Sequence, residues 1–537
     1  MKRKIFTLLL LWSVLTVKAT EKEYLSLFTD RDLYVSGETI LLKAFAPAGE
    51  KSGIVNIDLV NRTGKKISGV ILEIRDQQAD GYILIPDSLS SGSYFLSLST
   101  RNNPLFTTKT LYISNRFTGL PESNTDSRAT GISPVKENTA SSLTLNGVKD
   151  QYTQKAKCSA TANLQDNWLK QVDGKLSVCI SRITPEFSAT TFLRQSSFNP
   201  TTVSEKEGII IEGTVTDLKT AQPFKDATVY LSIPDSIPGF QYCFTHEDGR
   251  FYFRLEKYYG KIPVVIQCFT KEKSRILKLT LDDPSHNKPP MPDQESFIFT
   301  PEFRKSVEKS TDAITFQKIF NQQEIANQPA PVIVRDAYPF YGVANKIVDP
   351  QLFIDLPDFN EVSKELLPGV KYRNYNRIPT LQVLNLAQMS FFNEQPLILL
   401  DGIPIRELTV IKDMGTKDID KIEICNSERF FGDLNFPGVV AIYTSKADYT
   451  KVPESSDLIK FNLEVIQPPS TLNMPVEQPQ NVPDLRQVLL WEPSVMPEST
   501  IRIGFQTSDV QGIYKLALRG KTRDGSIFCN EQIFEVK

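Results

Sequence analysis

Two histidines, His246 and His286, and six cysteines, Cys158, Cys179, Cys243, Cys268, Cys425 and Cys529, are the residues of this 537-residue chain with most scope for nucleophilic or metal chemistry. A multi-His zinc site, a Ser-His-Asp triad or a Cys-His pair needs imidazole, so such chemistry has at most two places to start. His246 lies beside the Asp248-Gly249 turn and His286 in a Pro-rich stretch, and both read as solvated surface residues. The acidic pairs Asp30 with Asp32 and Asp418 with Asp420 have the right groups for acid–base or calcium chemistry. Turn capping accounts for the first pair and a solvent-facing strand end for the second, and no run sets several oxygens around a Gly as a calcium loop does. The sequence contains neither a Gly-x-x-x-x-Gly-Lys-Ser/Thr phosphate loop nor a Gly-x-Ser-x-Gly elbow. The expectation is a protein without catalytic residues, bound cofactor or metal.

Cysteine spacing allows Cys158 to pair with Cys179 and Cys243 with Cys268, leaving Cys425 and Cys529 apart. Small buried free thiols fit the same spacing, because spacing does not show whether two side chains face each other. Both readings stand on the sequence alone.

The elements that would position these residues are mostly strands. At this length one hydrophobic core is not enough, and four or five modules are expected. Phe (32), Tyr (18) and Pro (34) favour strands and turns. Met1-Lys2-Arg3-Lys4 followed by the apolar stretch from Ile5 to Val17 and by Val17-Lys18-Ala19 has the form of a secretory signal peptide over residues 1–19. Its removal would take the formal net charge from −2 to −6, which offers no basic face to nucleic acid. No later stretch has the length of a membrane-spanning helix. Export to the periplasm or the outer-membrane surface is the expected localisation, and it permits disulfides.

Residues 20–115 read as one β-sandwich. Ile40, Leu42 and Ala44, then Val55, Ile57 and Leu59, then Tyr94, Leu96 and Leu98 alternate at period two, which marks strands with one buried face. Residues 116–140, poor in large apolar side chains, read as a linker, and 141–204 as a second sandwich. A third spans 205–282, with Asp226 to Leu231 and Arg250 to Phe253 as strands around the Asp248-Gly249 hairpin. Residues 283–330 read as a connector with weak helical periodicity. From 331 to 447 the pattern becomes α+β: a short helix over Phe359 to Leu367 with Val362, Leu366 and Leu367 on one face, stopped by Pro368-Gly369, then strands. Residues 448–484 read as a Pro-rich linker and 485–537 as a C-terminal β segment.

Several stretches carry resemblances to three known families. Thr29-Asp30-Arg31-Asp32-Leu33-Tyr34-Val35-Ser36-Gly37-Glu38-Thr39 resembles the opening of the second macroglobulin (MG2) domain of alpha-2-macroglobulin relatives, and 141–204 and 485–537 are similar to further macroglobulin-type pieces. Gly213 to Asp217, Asp226 to Leu231 and Thr245 to Phe253 resemble the carboxypeptidase regulatory-like sandwich. Pro396 to Ile405 with its Asp401-Gly402 turn, Lys417 to Ile424, and Phe431-Gly432 through Gly438 to Thr444 resemble the plug domain of TonB-dependent outer-membrane receptors. A receptor barrel of about 22 strands has no room in the 90 residues after this region. The resemblance thus implies a mainly β, multidomain string of Ig-like, macroglobulin-type sandwiches plus one α+β plug-like domain, of a Bacteroidetes type.

Macroglobulins that trap proteases covalently use a Cys-Gly-Glu-Gln thioester, and none of the six cysteines here is followed by Gly. The functional expectation is a non-enzymatic envelope protein that binds or scaffolds a protein partner. Two alternatives stand beside it: an endopeptidase inhibitor without a thioester, whose partner is a protease, and an accessory of TonB-linked uptake, whose partner is an outer-membrane barrel.

Overall fold

The computed structural model describes residues 24–103, 105–121, 125–130, 138–139, 143–195, 205–235, 237–256, 258–270, 272, 275–282, 293–319, 325–327, 338–375, 378–472 and 482–537. The expected signal peptide and His286 lie outside them. The protein is mainly β and multidomain, as its alternating apolar pattern requires.

In the first sandwich a three-stranded sheet of Ser26–Thr29, Thr39–Phe45 and Gln78–Leu84 faces a larger sheet. That sheet holds Ile54–Val60, Lys66–Glu73, Gly92–Ser99 and Leu105–Ser114, with Leu33–Val35 and Thr191–Gln195 added at its edge. The expected alternating residues, Ile40, Leu42 and Ala44 against Val55, Ile57, Leu59, Leu96 and Leu98, form its core. Tyr94 closes the fold by donating its hydroxyl to the Ser90 carbonyl four residues back, at 2.7 Å.

The second sandwich is assembled from chain segments more than 300 residues apart. Lys157–Leu164 lies between Leu143–Asn146 and Thr500–Gln506. In the facing sheet Val172–Arg182 lies between Val488–Val495 and Gly512–Thr522, and the latter pairs with Ile527–Val536. Ala160, Ala162, Leu176, Val178 and Ile180 share one core with Ile501, Ile503, Phe505, Leu516, Leu518 and Phe534. The segments 143–182 and 488–536, within stretches read from the sequence as two units, thus build one sandwich, while Thr191–Gln195 joins the first. Among the described residues Val488–Val495 and Thr500–Gln506 pair only with strands of the earlier segment, so the two sheets close only when both segments are present.

Everything between is inserted into this domain, and it is nested again. The third sandwich pairs Ile209–Asp217 with Arg250–Leu255 and Leu277–Leu281, opposite a sheet of Gly239–Phe244, Thr228–Ile233, Lys261–Phe269 and Leu458–Glu464. Its last strand arrives only after the α+β domain, from a stretch expected to be linker. There the prolines on either side dominated the composition, while Leu458 to Glu464 adds seven residues of edge pairing to Lys261–Phe269. Outward and returning chains also meet in the antiparallel pair Ile325–Asn327 with Ser470–Leu472.

The connector is not passive. Pro301–Ile319 is an α-helix whose Phe303 and Val307 pack, with Phe299, on Leu33, Tyr112 and Phe187 beside the first sandwich. Within the stretch expected to be linker, Thr125–Thr130 pairs antiparallel with Asp293–Ile298.

In the α+β domain a sheet ordered Lys346–Val348, Lys421–Cys425, Val439–Tyr443, Leu397–Leu400, Ile403–Pro404 carries the helix Phe359–Leu366 on one face. Asp358 caps that helix by accepting the Glu361 N–H at 2.9 Å. Pro368 and Gly369, the latter at φ +82°, end the segment as the sequence predicts. Among the described residues no helix is long and apolar enough to cross a membrane.

Candidate functional site: a buried inter-domain lock and an apolar edge

The Thr29 to Thr39 motif, expected to cap a turn, does more. Asp30 Oδ1 accepts the Tyr34 hydroxyl at 2.7 Å and the Leu41 N–H at 2.8 Å. Arg31 bridges Asp30 Oδ2 and Glu38 Oε1, each at 3.0 Å, with all three side chains buried. Burial alone would lower the Arg31 pKa, but Glu38 and Asp30 outweigh it and hold the guanidinium charged. From the second sandwich Ser181 Oγ donates to the Asp30 carbonyl at 2.5 Å, and Gln487 Nε2 donates to Glu38 Oε1 at 3.4 Å. Arg182 donates to Ser310 Oγ of the connector helix at 2.9 Å. Three parts of the chain therefore converge on one desolvated polar cluster. Asp32 lies apart from it, paired with Lys109 at 2.9 Å, so the two aspartates form no joint carboxylate site.

Of the four plug-motif residues, Gly402 and Gly432 fit the α+β domain to its neighbour, while Asp401 and Gly438 make contacts within it. Asp401 (φ +50°) and Gly402 (φ +83°) make the tight turn between Leu397–Leu400 and Ile403–Pro404. The Asp401 carboxylate accepts the Thr444 N–H, the Thr444 hydroxyl and the Tyr449 N–H at 2.7, 2.9 and 3.1 Å, pinning the hairpin to the neighbouring strand end. A Cβ on Gly402 would sit 2.3 Å from Pro238 of the third sandwich, and one on Gly432 2.1 Å from the Tyr242 hydroxyl. Gly438 (φ +88°) lies against the Cys425 carbonyl. The same interface stacks Phe240 on Phe340 at 4.0 Å and sets Arg406 over Phe269 at 3.8 Å, while Gln267 Nε2 donates to the Pro404 carbonyl at 3.0 Å. Gly402→Ala combines an unfavourable positive φ with that contact and is expected to cost about 1–3 kcal/mol. Denaturant titration checks it, with Glu407→Ala on the exposed surface as the neutral control.

The cysteines settle as thiols. Cys243 and Cys268 both lie directly opposite Val229, one on each flanking strand. Two strand spacings of ~4.8 Å put their Cα atoms near 10 Å apart, beyond the ~7 Å limit for a disulfide. Cys158 points into the core of the second sandwich, while Cys179 points out of it, into a cluster with Leu41, Val488 and Trp491. All six are free, and burial pushes Cys158 and Cys179 up to about 11. Six thiols are expected to react with a disulfide reporter in denaturant without reductant. A count of two to four would restore the paired reading.

His246 is exposed at the hairpin turn, as expected, and among the described residues no group of three or more His, Cys, Asp or Glu is placed to hold a metal. A different titratable group stands out. Glu205, buried where the third sandwich meets the first, has its carboxyl raised to about 7 by burial, against the partial compensation of Arg101. The folded state then holds a proton that the unfolded state has lost above its ordinary value of 4.5. Stability is expected to fall by as much as about 3 kcal/mol as pH rises from 4.5 to 7 and to level off above. Glu205→Gln should flatten that slope in denaturation curves measured across this window.

One surface feature escaped the sequence reading. Ile347 on the edge strand Lys346–Val348 is 60 % exposed, and the following Leu352, Phe353 and Ile354 are 79, 57 and 73 % exposed. Among the described residues Lys346–Val348 pairs on one side only, with Lys421–Cys425. The available signal was a run of three large apolar residues after Pro350 without strand or helix periodicity.

No protein-family model matches the chain, and no curated protein matches it significantly. Solved structures do align with it. A Salmonella alpha-2-macroglobulin reacted with methylamine aligns at 8 % identity over 96 % of this chain and 40 % of that one, with a TM-score of 0.23. The native conformation of the E. coli alpha-2-macroglobulin aligns at 9 % identity over the same shares, also with a TM-score of 0.23. Dimeric latent PorU from Porphyromonas gingivalis aligns at 11 % identity over 51 % of this chain and 32 % of that one, with a TM-score of 0.15. The chain spans about two-fifths of the length of these macroglobulins.

Proposed function

We propose that this chain is a non-enzymatic cell-envelope protein that holds a protein partner on its α+β domain, with the sandwiches as a rigid frame. The observation that carries the proposal is the exposed Leu352-Phe353-Ile354 run beside the one-sided edge strand Lys346–Val348. A run of adjacent exposed large apolar side chains is costly in water and marks interaction sites. An unpaired strand edge supplies backbone donors and acceptors to an extended segment of a partner, with neighbouring apolar side chains as its anchor. The opposite end of the same sheet, at the Asp401-Gly402 hairpin, is already packed against the third sandwich. That leaves the Lys346–Val348 side for the partner. Placement in the envelope rests on the basic and apolar N-terminal pattern.

Affinity capture from native envelopes tests the reading by comparing the wild-type chain with a Leu352→Asp, Ile354→Asp variant. A specific protein recovered at least tenfold less by the variant is the expected result, and a protease or an outer-membrane barrel in that place would define the partner's class. Equal recovery by both chains would remove the α+β edge from the account.

A further inference from the structure

A polar cleft opens where all three sandwiches meet, with a volume of about 240 Å³. The first sandwich contributes Glu73, Arg75, Asp76, Gln78 and Asp80, the second Lys175 and Ser494, the third Tyr259, and the returning chain Gln467, Pro468 and Pro469. We infer that this cleft binds a neutral polyhydroxylated ligand, of the size of one sugar ring.

Charge balance is the first argument. Arg75 and Lys175 line the cleft, and the fully buried Lys43 lies behind it, its ammonium 3.4 Å from Ser494 Oγ and 3.8 Å from Asp80 Oδ1. Glu73, Asp76 and Asp80 oppose these three cations. Arg75 already holds Glu73 at 2.6 Å, and Tyr259 donates to the same carboxylate at 3.3 Å. With the charges cancelled, the cleft exerts no net pull on an anion or a cation. It offers instead a dense set of fixed donors and acceptors, which suits hydroxyl groups able to act as both.

The construction of the wall is the second argument. Gln78 is only 7 % exposed, donates its amide to the Lys175 carbonyl at 2.8 Å, and keeps its buried carbonyl oxygen without a hydrogen-bond partner among the described residues. Gln467 is locked against the Gln78–Leu84 strand by a reciprocal pair, accepting the Tyr82 N–H at 3.0 Å and donating to the Tyr82 carbonyl at 2.9 Å. These amides are held by the fold, so little ordering cost falls on binding. Pro468, Pro469 and the Tyr259 ring give an apolar side for the C–H face of a ring. The volume lies below the ~300–1,000 Å³ of drug-sized sites, which limits the occupant to a single ring or the end of a longer glycan. This site is separate from the α+β edge, so either can fail without the other.

Saturation-transfer NMR on the full chain tests the inference, using methyl glucoside, methyl galactoside, methyl mannoside and N-acetylglucosamine as neutral probes, with glucuronate and glucosamine as charged ones. Transfer to at least one neutral probe is expected, falling at least fivefold in Lys175→Trp, which fills the cleft from an exposed position, and in Asp80→Ala. Unfolding midpoints measured alongside separate loss of binding from loss of fold. Three results would overturn the assignment: no transfer to any neutral probe, transfer that survives Lys175→Trp, or stronger transfer to either charged probe.

Discussion

Replacing Arg31 with Ala is expected to cost about 3–5 kcal/mol, because it leaves buried charge without its counter-charge. The Asp30 and Glu38 side chains are 0 % and 2 % exposed, and Arg31 is the cation that bridges them at 3.0 Å on each side. Without it, two carboxylates would face each other out of reach of water, with the Tyr34 hydroxyl, the Leu41 N–H and the Gln487 amide as donors and Arg182 acting on Glu38 from further off. The loss should reach beyond the first sandwich, since Ser181 and Gln487 of the second are bonded to the same group. Pairing Arg31→Ala with Glu38→Gln should recover part of the cost, as removing both members of an ion pair is less harmful than removing one. Denaturant unfolding followed at the second sandwich through Trp491, whose side chain lies at the interface beside Leu41, reads both effects. A change below about 1 kcal/mol for Arg31→Ala would mean that the motif is only a turn.

Deleting residues 485–537 is expected to unfold the segment 143–182, although the two are separated by the whole of the inserted chain. The deletion removes Ile501, Ile503, Phe505, Leu516, Leu518 and Phe534 from the shared core. At ~1.5–3 kcal/mol for each buried side chain, the loss is comparable to or larger than the 5–15 kcal/mol by which whole domains are stable. Limited proteolysis should then cut within Lys157–Leu164 and Val172–Arg182, which the intact chain protects. Supplying residues 485–537 as a separate polypeptide should restore protection. Persistent protection without them would return the two segments to independent status.

Much of the local structure was legible because alternation reports which face of a strand is buried. Ile40, Leu42, Ala44, Val55, Ile57 and Leu59 lie in the first core as their period requires, and the helix expected over Phe359 to Leu367 before Pro368-Gly369 spans Phe359–Leu366. Alternation does not name the partner, however. Nothing in Lys157–Leu164 announces that its neighbour is Thr500–Gln506, since each has the same pattern as any half-buried strand. The cysteine pairs were open for a similar reason: sequence distance gives neither strand order nor facing, and both decided the outcome. Lys43 and Cys179 sit on faces that would be solvent-exposed in a lone sandwich and are buried only because domains pack together. The apolar edge of the α+β domain was the reverse case, apolar residues that the fold leaves in water.

The most direct test of the binding role is site-specific photocrosslinking in intact cells, with the reactive residue placed at Ile354 and, as control, at Ile533, which is 57 % exposed on the second sandwich. A discrete protein adduct from position 354, absent from position 533 and lost when Ile347→Asp is added, is the predicted result. No adduct from 354, or the same adducts from both positions, would contradict a partner held at the α+β edge.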